Sequence, residues 1–111
     1  MEKKIDIISI ASCLKDQALR DELRITIHGH QEMSDENILY DDLRQAIIDG
    51  RVIENYPEHQ RGPCCLLCGK TAADRYLHIV CTTSLEAAII ITVYEPKPPK
   101  WITPFQRRSS I

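Results

Sequence analysis

The chain has 111 residues, 43% of them hydrophobic, which suffices for one domain with a core of its own and not for two. A formal charge of −2 and a pI near 6.1 exclude a global attraction to nucleic acid or to an anionic membrane, so any basic surface must be local. Five cysteines, an odd number, point to free thiols in a reducing, cytoplasmic setting.

Ile10-Ala11-Ser12-Cys13, after Met1-Glu2-Lys3-Lys4, has the outline of a lipoprotein cleavage box. The apolar region from Ile5 to Ser12 carries Asp6 and is too short and too polar for a signal segment. No stretch approaches the span of about 20 residues that a membrane requires, so no membrane association is expected. Instead, Ile7, Ala11, Leu14 and Ala18, widened by Ile8 and Ile10, recur with helical spacing over 5–19, and Lys15, Asp16 and Gln17 supply the wet face. Arg24-Ile25-Thr26-Ile27 reads as a short strand. Ser34 and Asp35 then offer a helix N-cap, with Glu36, Asp41 and Asp42 near the positive end of the dipole. The helix they predict buries Leu39, Leu43, Ala46 and Ile47 and stops at Gly50.

The second half has strand character. Val52 to Tyr56, Cys64 to Cys68, Tyr76 to Thr82 and Ala88 to Tyr94 form four short runs joined by tight polar connections, which predicts an antiparallel meander. The tail, Glu95 to Ile111, contains four prolines and reads as irregular chain wrapped on the surface. The expected architecture is a single α+β domain over residues 1–111. Two or three N-terminal helices, in a mainly helical layer over 1–50, pack on a four-stranded antiparallel sheet over 51–94, and an extended basic and aromatic tail over 95–111 follows.

Four pieces of the chain together resemble the bacterial domain-of-unknown-function 4258 family. They are His28-Gly29-His30-Gln31-Glu32-Met33, Tyr56-Pro57 before Cys65-Leu66-Leu67-Cys68-Gly69, Leu77-His78-Ile79-Val80, and Ile91-Thr92-Val93-Tyr94-Glu95-Pro96 followed by Trp101. The resemblance covers roughly residues 20 to 108 and implies kinship with small ribonuclease toxins of the RelE and BrnT kind, in which helices pack on an antiparallel sheet beside antitoxin-like partners. Where that family usually has an Arg-Gly pair after the methionine, this chain has Glu36-Asn37, which removes a positive charge.

Strand alternation supplies the strongest candidate chemistry. Tyr76, His78, Val80 and Thr82 share one face, and Leu77, Ile79 and Cys81 the other. In the last strand Ile89, Ile91 and Val93 are expected on the apolar side, with Ile90, Thr92 and Tyr94 opposite. A hairpin centred near Glu86 sets His78 opposite Tyr94 and Val80 opposite Thr92. An imidazole beside a phenol suits proton transfer in RNA cleavage without a cofactor, so His78 and Tyr94, with His28 in support, are the candidate catalytic groups. The plain alternative is a packed His–Tyr pair. His28 and His30 share a face only if extended, since a helix sets them about 200° apart.

For RNA contact the candidates are Arg75, Lys100, Trp101, Arg107 and Arg108, cations interleaved with aromatics including Phe105, while Arg61 borders the sheet. Cys64, Cys65 and Cys68 outline a zinc knuckle, but no second Cys-x-x-Cys exists and the segment reads as a buried strand. Two functions stay open: a toxin-like RNA-binding or endoribonuclease component with an antitoxin-like partner, and a non-catalytic interaction module. A small zinc protein is a third.

Overall fold

The computed structural model describes residues 7–60, 62–83 and 86–108. Helix α1 (Ile7–Leu19) buries Ile10, Leu14 and Ala18 as the apolar spacing requires. Two side chains depart from the expected stripe. Ile8 stands 77% exposed, and Gln17 is buried because its amide donates to the Glu86 carbonyl at 3.0 Å. Residues 5 and 6, also expected in this helix, lie outside the described residues. The segment of the supposed cleavage box is part of α1, with Cys13 exposed on it.

Strand β1 (Leu23–Ile25) ends sooner than the β-branched run suggested. Thr26 caps the next helix, α2 (Ile27–Asp35), its hydroxyl oxygen accepting from the Gly29 N–H at 3.0 Å. His28 and His30 are therefore helical. Ser34 and Asp35 close α2 and do not cap its successor. Asn37 adopts φ 55 while its N–H bonds Ser34 and that of Ile38 bonds Met33, the pair of contacts that ends a helix in a left-handed residue. Asn37 thus supplies the left-handed residue that closes α2. Helix α3 (Tyr40–Asp49) starts at Leu39, whose side chain has no acceptor; the Asp42 carboxylate reaches back instead and accepts the Leu39 N–H at 2.9 Å.

Strands β2 (Arg51–Tyr56), β3 (Cys64–Lys70), β4 (Tyr76–Thr82) and β5 (Ala88–Tyr94) make the expected antiparallel meander. The sheet has a fifth member: β1 lies parallel beside β5, and the order is β1-β5-β4-β3-β2. The α+β class stands, with three helices on a mixed sheet. Cys65, Leu67, Leu77, Ile79, Cys81, Ile90 and Val93 meet Leu14, Met33, Leu43, Ala46 and Ile47 in one core. Val80 pairs with Thr92 but Cys81 with Ile90, so Ile91 is a bulge. The extra residue reverses the phase of β5. Ile90, not Ile89 or Ile91, is fully buried on the helix side.

Three residues of β1 cannot cover seven of β5, and side chains around α2 close the rest of that edge. The Thr26 hydroxyl bonds the carbonyls of Ile90 and Ile91, Glu32 accepts the Val93 N–H at 2.8 Å, and Glu36 accepts the Glu95 N–H at 2.9 Å. The tail is more regular than its prolines suggested. Strands β6 (Trp101–Thr103) and β7 (Gln106–Arg107) form a hairpin with its own two-stranded pairing, laid across the sheet face opposite the helices. None of the helices among the described residues is long and apolar enough to cross a membrane.

Candidate functional site

Strand alternation sends His78 away from the helices, and the register sets it between Cys68 of β3 and Tyr94 of β5. Its Nδ1 lies 3.1 Å from the Tyr94 hydroxyl and its Nε2 2.6 Å from the Pro104 carbonyl of the hairpin. A carbonyl can only accept, so Nε2 carries the hydrogen and Nδ1 accepts from the Tyr94 hydroxyl. Trp101 stands edge-on to the imidazole, centroids 4.3 Å apart at 89°. His78 is 0% exposed.

Burial is the main force lowering the His78 pKa, helped by Arg107 and Lys100 and opposed by the Pro104 carbonyl and Glu54. The imidazole is accordingly neutral at neutral pH. Burial likewise raises the Tyr94 phenol. The Trp101 indole N–H, though near enough to Tyr94 to offset part of that rise, is buried and has no hydrogen bond of good geometry among the described residues.

Around this pair sits a second tier that the sequence did not reveal. Glu54 takes a two-pronged bond from Arg107, at 3.0 and 2.8 Å, and a hydrogen bond from the Tyr56 hydroxyl. Arg107 holds the Glu54 carboxyl below its usual range, and burial followed by the Glu54 charge pushes Tyr56 up to about 12. Arg107 also lies over the Trp101 ring, 4.7 Å from its centre. Phe105, at the hairpin turn, packs edge-on to Tyr76 at 5.5 Å, while Arg51 covers Phe105 at 4.2 Å and Lys70 lies over Tyr76 at 5.8 Å. Alternation along β2 puts Glu54 within reach of such a site, but no sequence signal announces a backbone acceptor such as Pro104.

The remaining candidates are dispersed. His28, exposed on α2, pairs with Glu32 at 3.3 Å, and Glu32 is committed to Thr92 and Val93 at the β5 edge. No hydrogen bond or ion pair joins His28 to His78 among the described residues. Arg75 spends its guanidinium on the carbonyls of Glu36 (2.8 Å) and Asn37 (3.1 Å) and on Glu95 (3.4 Å), which caps the end of α2. Arg75→Ala is expected to cost about 1–3 kcal/mol, the worth of charge-assisted bonds to the helix end, read as a lower urea midpoint with an unchanged slope. Arg61 lies outside the described residues.

Lys100 and Arg108 are exposed on the hairpin, whereas Trp101 is 3% exposed and offers no ring face to a base. Cys65 and Cys68 fall on opposite faces of an extended strand, which denies them a common ion. Cys65 instead faces Cys81 across β3 and β4, and their contact and burial raise the Cys81 thiol pKa well above its usual value. Among the described residues no group of three His, Cys, Asp or Glu side chains is placed to hold a metal.

Comparison with known proteins places these features in a family. Residues 25–95, more than half of the chain, match the family described as Domain of unknown function (DUF4258). The chain belongs to that family. The match runs from the end of β1 to just past β5, so it takes in α2, α3 and the meander and leaves out α1 and the C-terminal hairpin. No curated protein and no solved structure matches the chain. In this DUF4258 protein the hairpin that seals His78 lies outside the matched region.

Proposed function

We propose that this protein is a non-catalytic, cytoplasmic RNA-binding component of a bacterial toxin–antitoxin-like pair, holding single-stranded RNA along the outer side of its C-terminal hairpin. The cation–aromatic assembly there carries the reading. Arg51 on Phe105, Lys70 on Tyr76 and Arg107 on Trp101 set cations against aromatic rings on one side of an otherwise acidic chain, with Lys70 also paired to Asp74 and Arg107 to Glu54. Lys97, Lys100 and Arg108 are exposed beside them, with no carboxylate partner among the described residues. Such cations neutralise phosphates and release counterions. An antitoxin-like protein as partner, and kinship with RelE- and BrnT-type toxins, rest on the family resemblance. The loss of the family's arginine at Glu36 and the sealing of His78 both favour binding over cleavage.

Binding of a labelled single-stranded RNA, followed by anisotropy across a salt series, tests this. Lys100→Ala with Arg108→Ala should weaken binding and make the salt slope shallower by about 1.4, the share of two phosphate contacts on a single strand. An unchanged affinity and slope would sink the proposal.

The Tyr94 hydroxyl on His78 Nδ1 favours a second reading, a toxin-type endoribonuclease in which these two groups move the proton. That reading needs the hairpin to lift, since no substrate reaches a wholly buried imidazole. It predicts RNA cleavage by the wild type and none by Tyr94→Phe.

A further inference from the structure

The C-terminal hairpin makes no strand pairing with the five-stranded sheet. Three side chains and one backbone carbonyl hold it down: Trp101 and the Pro104 carbonyl on His78, Arg107 on Glu54, Phe105 on Tyr76. The first two converge on one imidazole and leave it 0% exposed. The Pro104 bond survives a proton on Nδ1, since Nε2 keeps its hydrogen, but the burial and the Tyr94 bond both favour the neutral ring. With Nε2–H given to Pro104, Nδ1 has a lone pair for the Tyr94 hydroxyl. A proton on Nδ1 turns that acceptor into a donor. Tyr94 must then accept, and its own hydrogen needs a new acceptor in a place where the Trp101 N–H already has none.

Burial is the main penalty on the new charge, and the charged and titratable groups around the ring act in both directions. They are Tyr94 on β5, Glu54 and Tyr56 on β2, Cys68 on β3, Arg107 on β7 and Lys100 just before β6. Arg107 and Lys100 repel an imidazolium. The Pro104 carbonyl and Glu54 attract it, but Glu54 is already engaged by Arg107 and Tyr56, and the loss of water outweighs both. Lifting the hairpin gives the imidazolium water.

We propose that the C-terminal hairpin is a latch, closed by neutral His78 and released when that imidazole takes a proton, which uncovers the His78–Tyr94 face. The latch goes beyond the RNA reading and holds whether or not RNA binds. The sign follows from burial, which lowers the His78 pKa in the closed state, while an open state has an ordinary imidazole near 6.5. Closure is therefore fully favoured above about pH 6.5 and is lost as pH falls through the closed-state value. Below the latch lies the pair that the endoribonuclease reading requires, so acid exposes what neutral pH seals.

Trp101 is the only tryptophan in the chain and reports on the hairpin directly. Its emission should be followed from about pH 8 to about pH 4, spanning imidazole and carboxylate titration, with far-UV circular dichroism and 15N imidazole NMR alongside. The expected result is a red shift with retained secondary structure and a midpoint matching the His78 titration. Emission that stays blue until secondary structure is lost would overturn the latch. So would a red shift that follows a carboxylate such as Glu54 in place of His78. His78→Gln keeps an amide donor for Pro104 and cannot titrate. Its hairpin should stay down through the acid range; opening with the wild-type midpoint would refute the proposal.

Discussion

Gly69→Ala is expected to leave little or no folded protein. A Cβ at Gly69 would sit 1.7 Å from the Ala46 carbonyl oxygen and 2.6 Å from its carbonyl carbon, because α3 lies directly on β3 at this point. Overpacked cores ordinarily cost about 1–3 kcal/mol, with side chains giving way. Here the obstacle is helix backbone, so α3 as a whole must lift from Leu67 and its neighbours. The loss should exceed that range and take a large part of the roughly 5–15 kcal/mol that stabilises a domain. Ala46→Gly should not rescue it, since the clashing atoms are main chain. Gly62→Ala is the control. That glycine has φ +97 and open space around it, so only backbone strain of about 1 kcal/mol is expected. Urea denaturation, or soluble yield for Gly69→Ala, separates the two.

The second large effect is at His78. Replacing it with Ala removes a ring from beneath Trp101 and strands two polar groups, the Tyr94 hydroxyl and the Pro104 carbonyl. Cavity and lost bonds together should cost about 2–4 kcal/mol. Tyr94→Phe removes one neutral hydrogen bond and should cost about 1 kcal/mol. The order of these two variants carries the information. An exposed catalytic histidine would change activity and leave the urea midpoint nearly unmoved, whereas a sealed one must show up in stability first.

How much of this was legible in the sequence depends on what each feature rests upon. Period-two alternation and a short connection were enough to pair His78 with Tyr94 and Val80 with Thr92. The same rule failed two residues later, because the bulge at Ile91 reverses the phase and no residue type marks it. The α3 boundary was misplaced because Ser34 and Asp35 are good caps in the abstract, yet they close α2, and the actual cap position holds a leucine served by Asp42. Gln17 looked like a solvated residue and is buried, since its amide finds the Glu86 carbonyl 69 residues away. The hairpin was the largest omission. Its strands are three and two residues long among prolines, and what fixes it is long-range: Pro104 on His78 and Arg107 on Glu54. Chemistry carried by alternation within a strand was readable, and chemistry supplied by a distant backbone carbonyl was not.

These features together make the helix-free face of the sheet a sealed polar pair beneath a basic hairpin, and the hairpin the contact surface. The most direct test is to titrate the 15N-labelled protein with single-stranded RNA and map the resonances that move. The predicted result is movement of the Trp101 indole and of the Arg51, Lys100, Phe105 and Arg108 amides, with α1 and α3 unmoved. Movement gathered on the helical layer, or none at saturating RNA, would contradict it.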